Sequence, residues 1–400
     1  MRRLGVMCIV LFASLPAIGT SASLTLAECW ERIESGNPSL REVGYRIESA
    51  RLSAEQAGAW TNPRLGATLR SDEREFELSQ GLDVWGKRRL AQRAAAFETD
   101  LRRLDGEALR RELFAEVASH FWRGALLAEV VDLKEEQLGL WADFMNIREE
   151  EVRMGAIAPS EILPFREVLA EQRQILEEIR LDARNARAAL NILMGRAPGA
   201  ELSLEPEGAS IPLPSYDAFD EALREAVERN PALEQSRLAL QQSERRVEQE
   251  RRERLPEFAA GPSFKESGGS VAAGVAVTIS LPVWDRNRQG TESARREASA
   301  ARERIREAEL TLTHDVYRAF QAYRSRGRLL NAFSTEVAPA AAERHTRAEQ
   351  AWKTGNLSRR DYLSEQISYL SQRQRELQLR LDREISAARL AALVLPSDQI

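Results

Sequence analysis

The chain has 400 residues, 43% hydrophobic and 30% charged, with a formal net charge of −5. That length and apolar content support a large core and exclude general disorder. The mild negative balance gives no reason to expect nucleic acid as a partner. Nearly all the basic residues are arginine, the lysines being Lys87, Lys134, Lys265 and Lys353. The arginines alternate with Glu at helical spacing, the pattern of solvated faces rather than of a binding tract.

Arg2 and Arg3 precede an apolar run from Leu4 to about Ile18, then small residues from Gly19 to Ser23. This is the pattern of an export signal over residues 1–22, cut near Ala22. The run is short for a transmembrane helix, and no other window reaches about 18 apolar residues, so no helical anchor is expected. Cys8 leaves with the signal. Cys29 then stands alone, which rules out an intramolecular disulfide. It reads as a small core residue on the first helix. Lipid attachment is the alternative, but Leu26-Ala27-Glu28 is a poor lipobox.

Residues 24 to about 60 read as helix, interrupted at Asn37-Pro38. The period then changes to two. Leu65, Ala67 and Leu69 alternate with polar or small residues, and Phe76 and Leu78 do so beyond the turn at 71–74. The spacing predicts a β-hairpin over 64–84 with one apolar face. The whole pattern recurs roughly 195 to 200 residues later. Asn230-Pro231 opens a helical run to Arg254, and a second hairpin over 257–282 carries Phe258, Ala260, Phe264, Val271, Ala273, Val275, Val277 and Ile279. One unit has been written twice. The repeats span 23–196 and 216–400, and a proline-rich linker over 197–215 is expected to run outside the helical body.

Each strand is about as long as a tilted membrane-spanning strand requires. Four strands cannot close a barrel alone, so several chains would have to pool them. An ordinary sheet packed on helices is the alternative. Trp60, Trp85 and Trp284 flank the same end of the hairpins, as an aromatic belt at a membrane interface would. Local packing at the helix–strand junctions would also explain them.

The remainder is long helix. From about Lys87 to Arg153 there is no proline, a run on the order of 100 Å. The matching run from Asn287 to Lys353 contains Pro339. Return helices are expected from near Ser160 and Ser358. Leu169, Leu176, Ile179, Ala183, Ala186, Leu190 and Leu193 fall at coiled-coil steps, as do Val316, Phe320, Tyr323, Leu330, Phe333 and Val337. The fold class is α+β, with antiparallel coiled-coil helices too long for a compact globule.

The doubled Asn-Pro-x-Leu helices, the two hairpins, the Leu-Pro-Val-Trp-Asp-Arg-Asn-Arg box at 281–288 and the two Gly-containing turns resemble the TolC-like outer membrane factor family. The resemblance covers essentially the whole mature chain. It implies a homotrimer with four strands per protomer in a twelve-stranded outer-membrane barrel, a periplasmic helical tunnel, and a gate at the hairpin tips. It also implies a periplasmic adaptor and an inner-membrane pump as partners, and outer-membrane lipid around the barrel. The box at Asp285-Arg286-Asn287 is most similar to the heavy-metal efflux (CzcC-type) branch, which works with RND-type pumps. Drug efflux and type I secretion are alternatives within the family.

Candidate gate and docking residues lie at the two turns: Gly155, Ser160 and Glu161 in the first copy, Gly355, Ser358, Arg359, Arg360 and Asp361 in the second. Gly suits a left-handed helix exit and Ser an N-cap. By the resemblance, Asp361 matches a gate aspartate, while the second such position holds Ser364 beside Glu365. Arg359 and Arg360 could clasp the mouth shut through ion pairs between protomers, with Glu161 on the neighbouring tip. No catalytic constellation, cofactor loop or metal-ligand spacing is expected. His120, His314 and His345 lie far apart. A periplasmic adaptor would have one hairpin and compact β-domains, and an exported enzyme finds no supporting motif.

Overall fold

The computed structural model describes residues 23–206, 211, 213, 218–284 and 286–396. The export signal at 1–22, Asp285 and part of the expected linker lie outside those residues. Helices α1 (Leu26–Gly36) and α2 (Pro38–Ala57) meet at Asn37, and α5 (Phe219–Arg229) and α6 (Pro231–Arg252) meet at Asn230. The two joints work alike. Asn37 Oδ1 accepts Ser39 N–H at 2.8 Å, and Asn230 Oδ1 accepts Ala232 N–H at 3.0 Å. In each copy a proline follows at the first helical position, where no N–H is needed.

Strands β1 (Arg64–Leu69), β2 (Glu73–Leu82), β3 (Glu257–Ser267) and β4 (Ser270–Ser280) form one antiparallel sheet in the order β1-β2-β3-β4. The two repeats therefore join through β2 and β3, which pair Phe76 with Phe264 and Leu82 with Phe258. Leu65 lies opposite Leu78, and Val277 opposite Ala260. Those pairs place Leu65, Phe76, Leu78, Phe264, Val275 and Val277 on one continuous apolar face. The opposite face carries Arg64, Thr68, Glu75, Glu77, Ser263, Lys265 and Thr278. β1 and β4 are left with open edges. β1 has 6 residues, fewer than expected for a spanning strand. Pro63 lacks the N–H that would extend it downward, and the bend at Ser71–Asp72 ends it above.

Helix α3 (Lys87–Arg153) runs unbroken for 67 residues, about 100 Å, as expected from its lack of proline. It returns as α4 (Leu163–Leu193) after a 3₁₀ turn at Pro159–Ile162. The second copy departs from the first. Helix α7 (Arg288–Ala332) passes through a π turn at Phe333–Val337 before α8 (Ala338–Lys353) and the return helix α9 (Arg359–Val394). Pro339 cannot donate to the carbonyl four residues back and its ring would clash there, so the ladder widens just before it. The expected seam breaks at this point. Val316 and Phe320 are buried, whereas Val337 is 40% exposed.

The main core sits where the helical layers overlap most. Val117, Phe121, Trp122 and Leu126 of α3 are enclosed by Cys29 and Ile33 of α1, Leu190 of α4, Phe320 of α7 and Leu390 and Val394 of α9. Burial raises the Cys29 thiol to about 11, consistent with a packing role. The linker does not run free of the body. Leu202 and Ile211 are buried in the same core, because their side chains would otherwise add apolar surface beside α3.

Candidate functional site

The two helical turns are built on one plan. Gly155 and Gly355 both take φ +74°, a backbone region that a Cβ disfavours. Each turn closes with the same pair of bonds: Gly155 N–H to Val152 O and Ala156 N–H to Glu151 O, then Gly355 N–H to Trp352 O and Asn356 N–H to Ala351 O. These satisfy the last carbonyls of the long helices. The return helices start differently. Ser358 Oγ accepts Asp361 N–H at 3.1 Å and donates to Asp361 Oδ2 at 2.6 Å. In the first copy Glu161 Oε1 instead accepts Ala158 N–H at 3.1 Å, and Ser160 lies inside the 3₁₀ turn.

Aromatic pairs brace both tips. Trp352 stacks on Tyr362 at 5.4 Å, while Phe144 lies between Trp141 and Phe165. Arg148 covers the Phe165 ring at 5.1 Å, pairs with Glu151 at 2.7 Å and approaches Glu161 at 4.0 Å. Arg360 lies 3.6 Å from Asp361, and Arg359 reaches Asp143 of α3 at 3.8 Å. The expected charges are thus all near the tips, but within one chain they pair locally or between the two hairpins. Among the described residues no ion pair joins Glu161 to Arg359 or Arg360. These pairs are half exposed or more, apart from the Arg148 contacts, so each is worth about 1 kcal/mol or less.

A layer that sequence reading missed lies further up the same coil. Lys134 and Gln137 of α3 are buried. Lys134 Nζ donates to Gln137 Oε1 at 3.0 Å and to Gln172 Oε1 of α4. Gln137 Nε2 donates to Ile367 O at 3.1 Å and Ser371 Oγ at 2.6 Å, both on α9. Burial holds the Lys134 ammonium below its usual basicity, against a smaller opposing pull from Glu171. The layer ties the two hairpins together at one register, a role buried polar groups serve in coiled coils. Its signal in sequence was weak, since Asp132-Leu133-Lys134-Glu135 reads as a solvated face.

At the other end, the three tryptophans differ. Trp85 Nε1 donates to Pro256 O at 2.8 Å and its ring meets Phe258, a residue of the apolar sheet face. Arg88 stacks on Trp60 at 4.1 Å. Trp284 has no such cover and is 97% exposed. Trp60 and Trp85, with Arg64, Lys87, Arg88 and Glu257, line a cavity of about 530 Å³ between the sheet and the helix ends. No group of three or more His, Cys, Asp or Glu side chains capable of holding a metal occurs among the described residues. None of their helices is long and apolar enough to cross a membrane.

A sheet with one apolar face, set on two helical runs of about 100 Å whose hairpin turns at Gly155 and Gly355 lie at the far end, defines a channel-forming outer-membrane protein rather than a compact one. Residues 30–196 and 222–394 match the sequence model of the outer membrane efflux protein family, and the chain belongs to that family. It is 25% identical over 363 residues to the cobalt-zinc-cadmium resistance protein CzcC of Cupriavidus metallidurans, covering 88% of this chain and 86% of that one. It is 23% identical over 286 residues to the nickel-cobalt-cadmium resistance protein NccC of Alcaligenes xylosoxydans xylosoxydans, covering 67% of this chain and 63% of the other. Its fold is similar to the crystal structure of the channel protein CusC, with a TM-score of 0.74, 16% identity and coverage of 94% and 93%. The chain is an outer-membrane efflux channel subunit that extends into the periplasm.

Proposed function

We propose that three copies close one twelve-stranded barrel, that their helices continue it as a periplasmic tunnel, and that the trimer is the passive outer conduit of a tripartite pump for heavy-metal cations. The observation that carries this is the sheet. Its apolar face is continuous across four strands, and β1 and β4 keep open edges that only another chain can satisfy. In such a trimer the apolar face meets lipid, and Trp60, Trp85 and Trp284 lie at the periplasmic interface. Resemblance to CzcC and NccC, both named for metal resistance, supports the cargo. The turns at Gly155–Glu161 and Gly355–Asp361 are the natural gate and the docking point for an adaptor. The conduit needs no catalytic group: the pump supplies energy and selects the cargo.

The gate makes this testable in planar bilayers. Purified protein should have the mass of three chains in detergent and form channels. Replacing Arg359 and Arg360 by Ser should raise single-channel conductance with little loss of trimer, because it frees the second hairpin from Asp143. Cells deprived of the chain should lose resistance to cobalt, zinc or cadmium. A monodisperse monomer with intact β-structure would sink the barrel, and unaltered metal tolerance would sink the cargo.

A further inference from the structure

The chain is held from its first described residue onward. Leu24 forms a parallel bridge with Leu204 of the linker, its N–H donating to Ser203 O at 3.0 Å and its carbonyl accepting Glu205 N–H at 3.0 Å. Leu24 is 4% exposed. Leu204 packs so closely on α3 that a Cβ at Gly124 would come within 2.9 Å of it. Thr25 then caps α1, with Glu28 Oε2 accepting the Thr25 N–H at 2.8 Å. One residue upstream, Ser23 Oγ donates to Glu205 Oε2 at 2.7 Å. Among the described residues Glu205 has no ion pair, and its side chain accepts only the Ser23 hydroxyl.

We propose that processing leaves Ser23 as the mature N-terminus and that its new α-ammonium is seated against Glu205. The residues ahead of the cut, Thr20-Ser21-Ala22, are small, as a leader peptidase requires. Hydrolysis breaks the Ala22–Ser23 amide. Water gives its hydroxyl to the Ala22 carbonyl and a proton to the Ser23 nitrogen, leaving a neutral amine; the new Ala22 carboxyl then releases its proton, and the amine takes one up to become an ammonium. The Leu24 bridge and the Ser23 hydroxyl already fix where that nitrogen sits. Its charge therefore appears beside a carboxylate that no cation of the described residues pairs, and leader removal completes the clasp between N-terminus and inter-repeat linker.

The other charged groups near this corner do not displace it. Glu28 is engaged by the Thr25 N–H and hydroxyl, which hold its carboxyl below the usual range, with a smaller pull from Arg32. The stem of Arg187 of α4 packs near Gly124, as Leu204 does.

Intact mass and N-terminal sequencing of the protein purified from outer membranes should give Ser23 as the first residue. An α-amine ordinarily titrates near 7.7–8.0. Amine-labelling rates followed against pH should place it about 0.5 higher in the native protein than in Glu205→Gln, the scale of an exposed pair. A raised folded value means stabilisation that is full below pH 7.7 and lost as pH rises through the folded value. The thermal advantage over Glu205→Gln should fade accordingly between pH 7 and 10. If Glu205→Gln does not accumulate, a glycine inserted between Ala22 and Ser23 serves instead, because it moves the ammonium by roughly 3.5 Å. A mature chain beginning elsewhere would overturn the proposal. So would an amine that titrates alike with and without its partner.

Discussion

Val275 lies midway along β4, opposite Pro262, on the face shared with Phe264 and Phe76. Replacing it by Arg puts a cation where three protomers would each face the middle of the bilayer. An arginine at that depth costs about 2–4 kcal/mol. Three copies per barrel make roughly 6–12 kcal/mol, comparable with the whole stability of a typical domain. Ala276 is the control: it is one residue on, opposite Gly261, and its Cβ points to the polar face. Each variant should be refolded into vesicles and run unheated and heated on a denaturing gel, with urea titration of the band that survives without heating. Val275→Arg should lose most of the heat-modifiable trimer, and Ala276→Arg should keep most of it. Equal loss, or equal tolerance, at the two positions would mean that the sheet does not separate lipid from lumen as its register says.

Two further expectations concern the helices. Lys134→Met should remove a pH dependence: the lysine's folded value lies below its ordinary 10.5, so the unfolded chain holds the proton more tightly and native stability rises as pH climbs through that interval. The variant should be flat there, as chemical denaturation at several pH values will reveal, and a native protein equally flat would contradict the buried ammonium. The same Gly→Ala change should act oppositely at two sites. Gly355→Ala strains a left-handed turn by about 1–2 kcal/mol, whereas Gly139→Ala, mid-helix with open space around it, should stabilise by up to about 1 kcal/mol; hydrogen exchange at each site reads the difference.

Much of this fold was legible because local rules and tertiary packing agree. Asn37-Pro38 and Asn230-Pro231 announce their own joints, and the helix from Lys87 to Arg153 matches its expected limits. The strand faces followed from period two alone. Legibility failed where the answer depends on a distant partner. Phe333 and Val337 keep coiled-coil spacing, yet the π turn ahead of Pro339 moves Val337 out of the seam. Asp143 carries no mark that it will meet Arg359. Lys134 resembles any surface lysine until α4 and α9 close over it. Likewise Leu202 and Ile211 sit in a proline-rich tract that reads as external, but their apolar side chains find the core.

The strands turn over in very few residues at the end away from the helices. β1 passes to β2 across Arg70, Ser71 and Asp72, and β3 passes to β4 across Gly268 and Gly269, with φ values of +59° and +84°. A trimer would offer the outside world six such turns and nothing larger. Antibodies, phages and proteases in the medium would find little backbone to grip on an intact cell. Those turns are also where a foreign peptide could be displayed: the Gly268–Gly269 link packs against no neighbouring side chain, so an epitope inserted there would be carried to the cell surface without disturbing the strands beneath it.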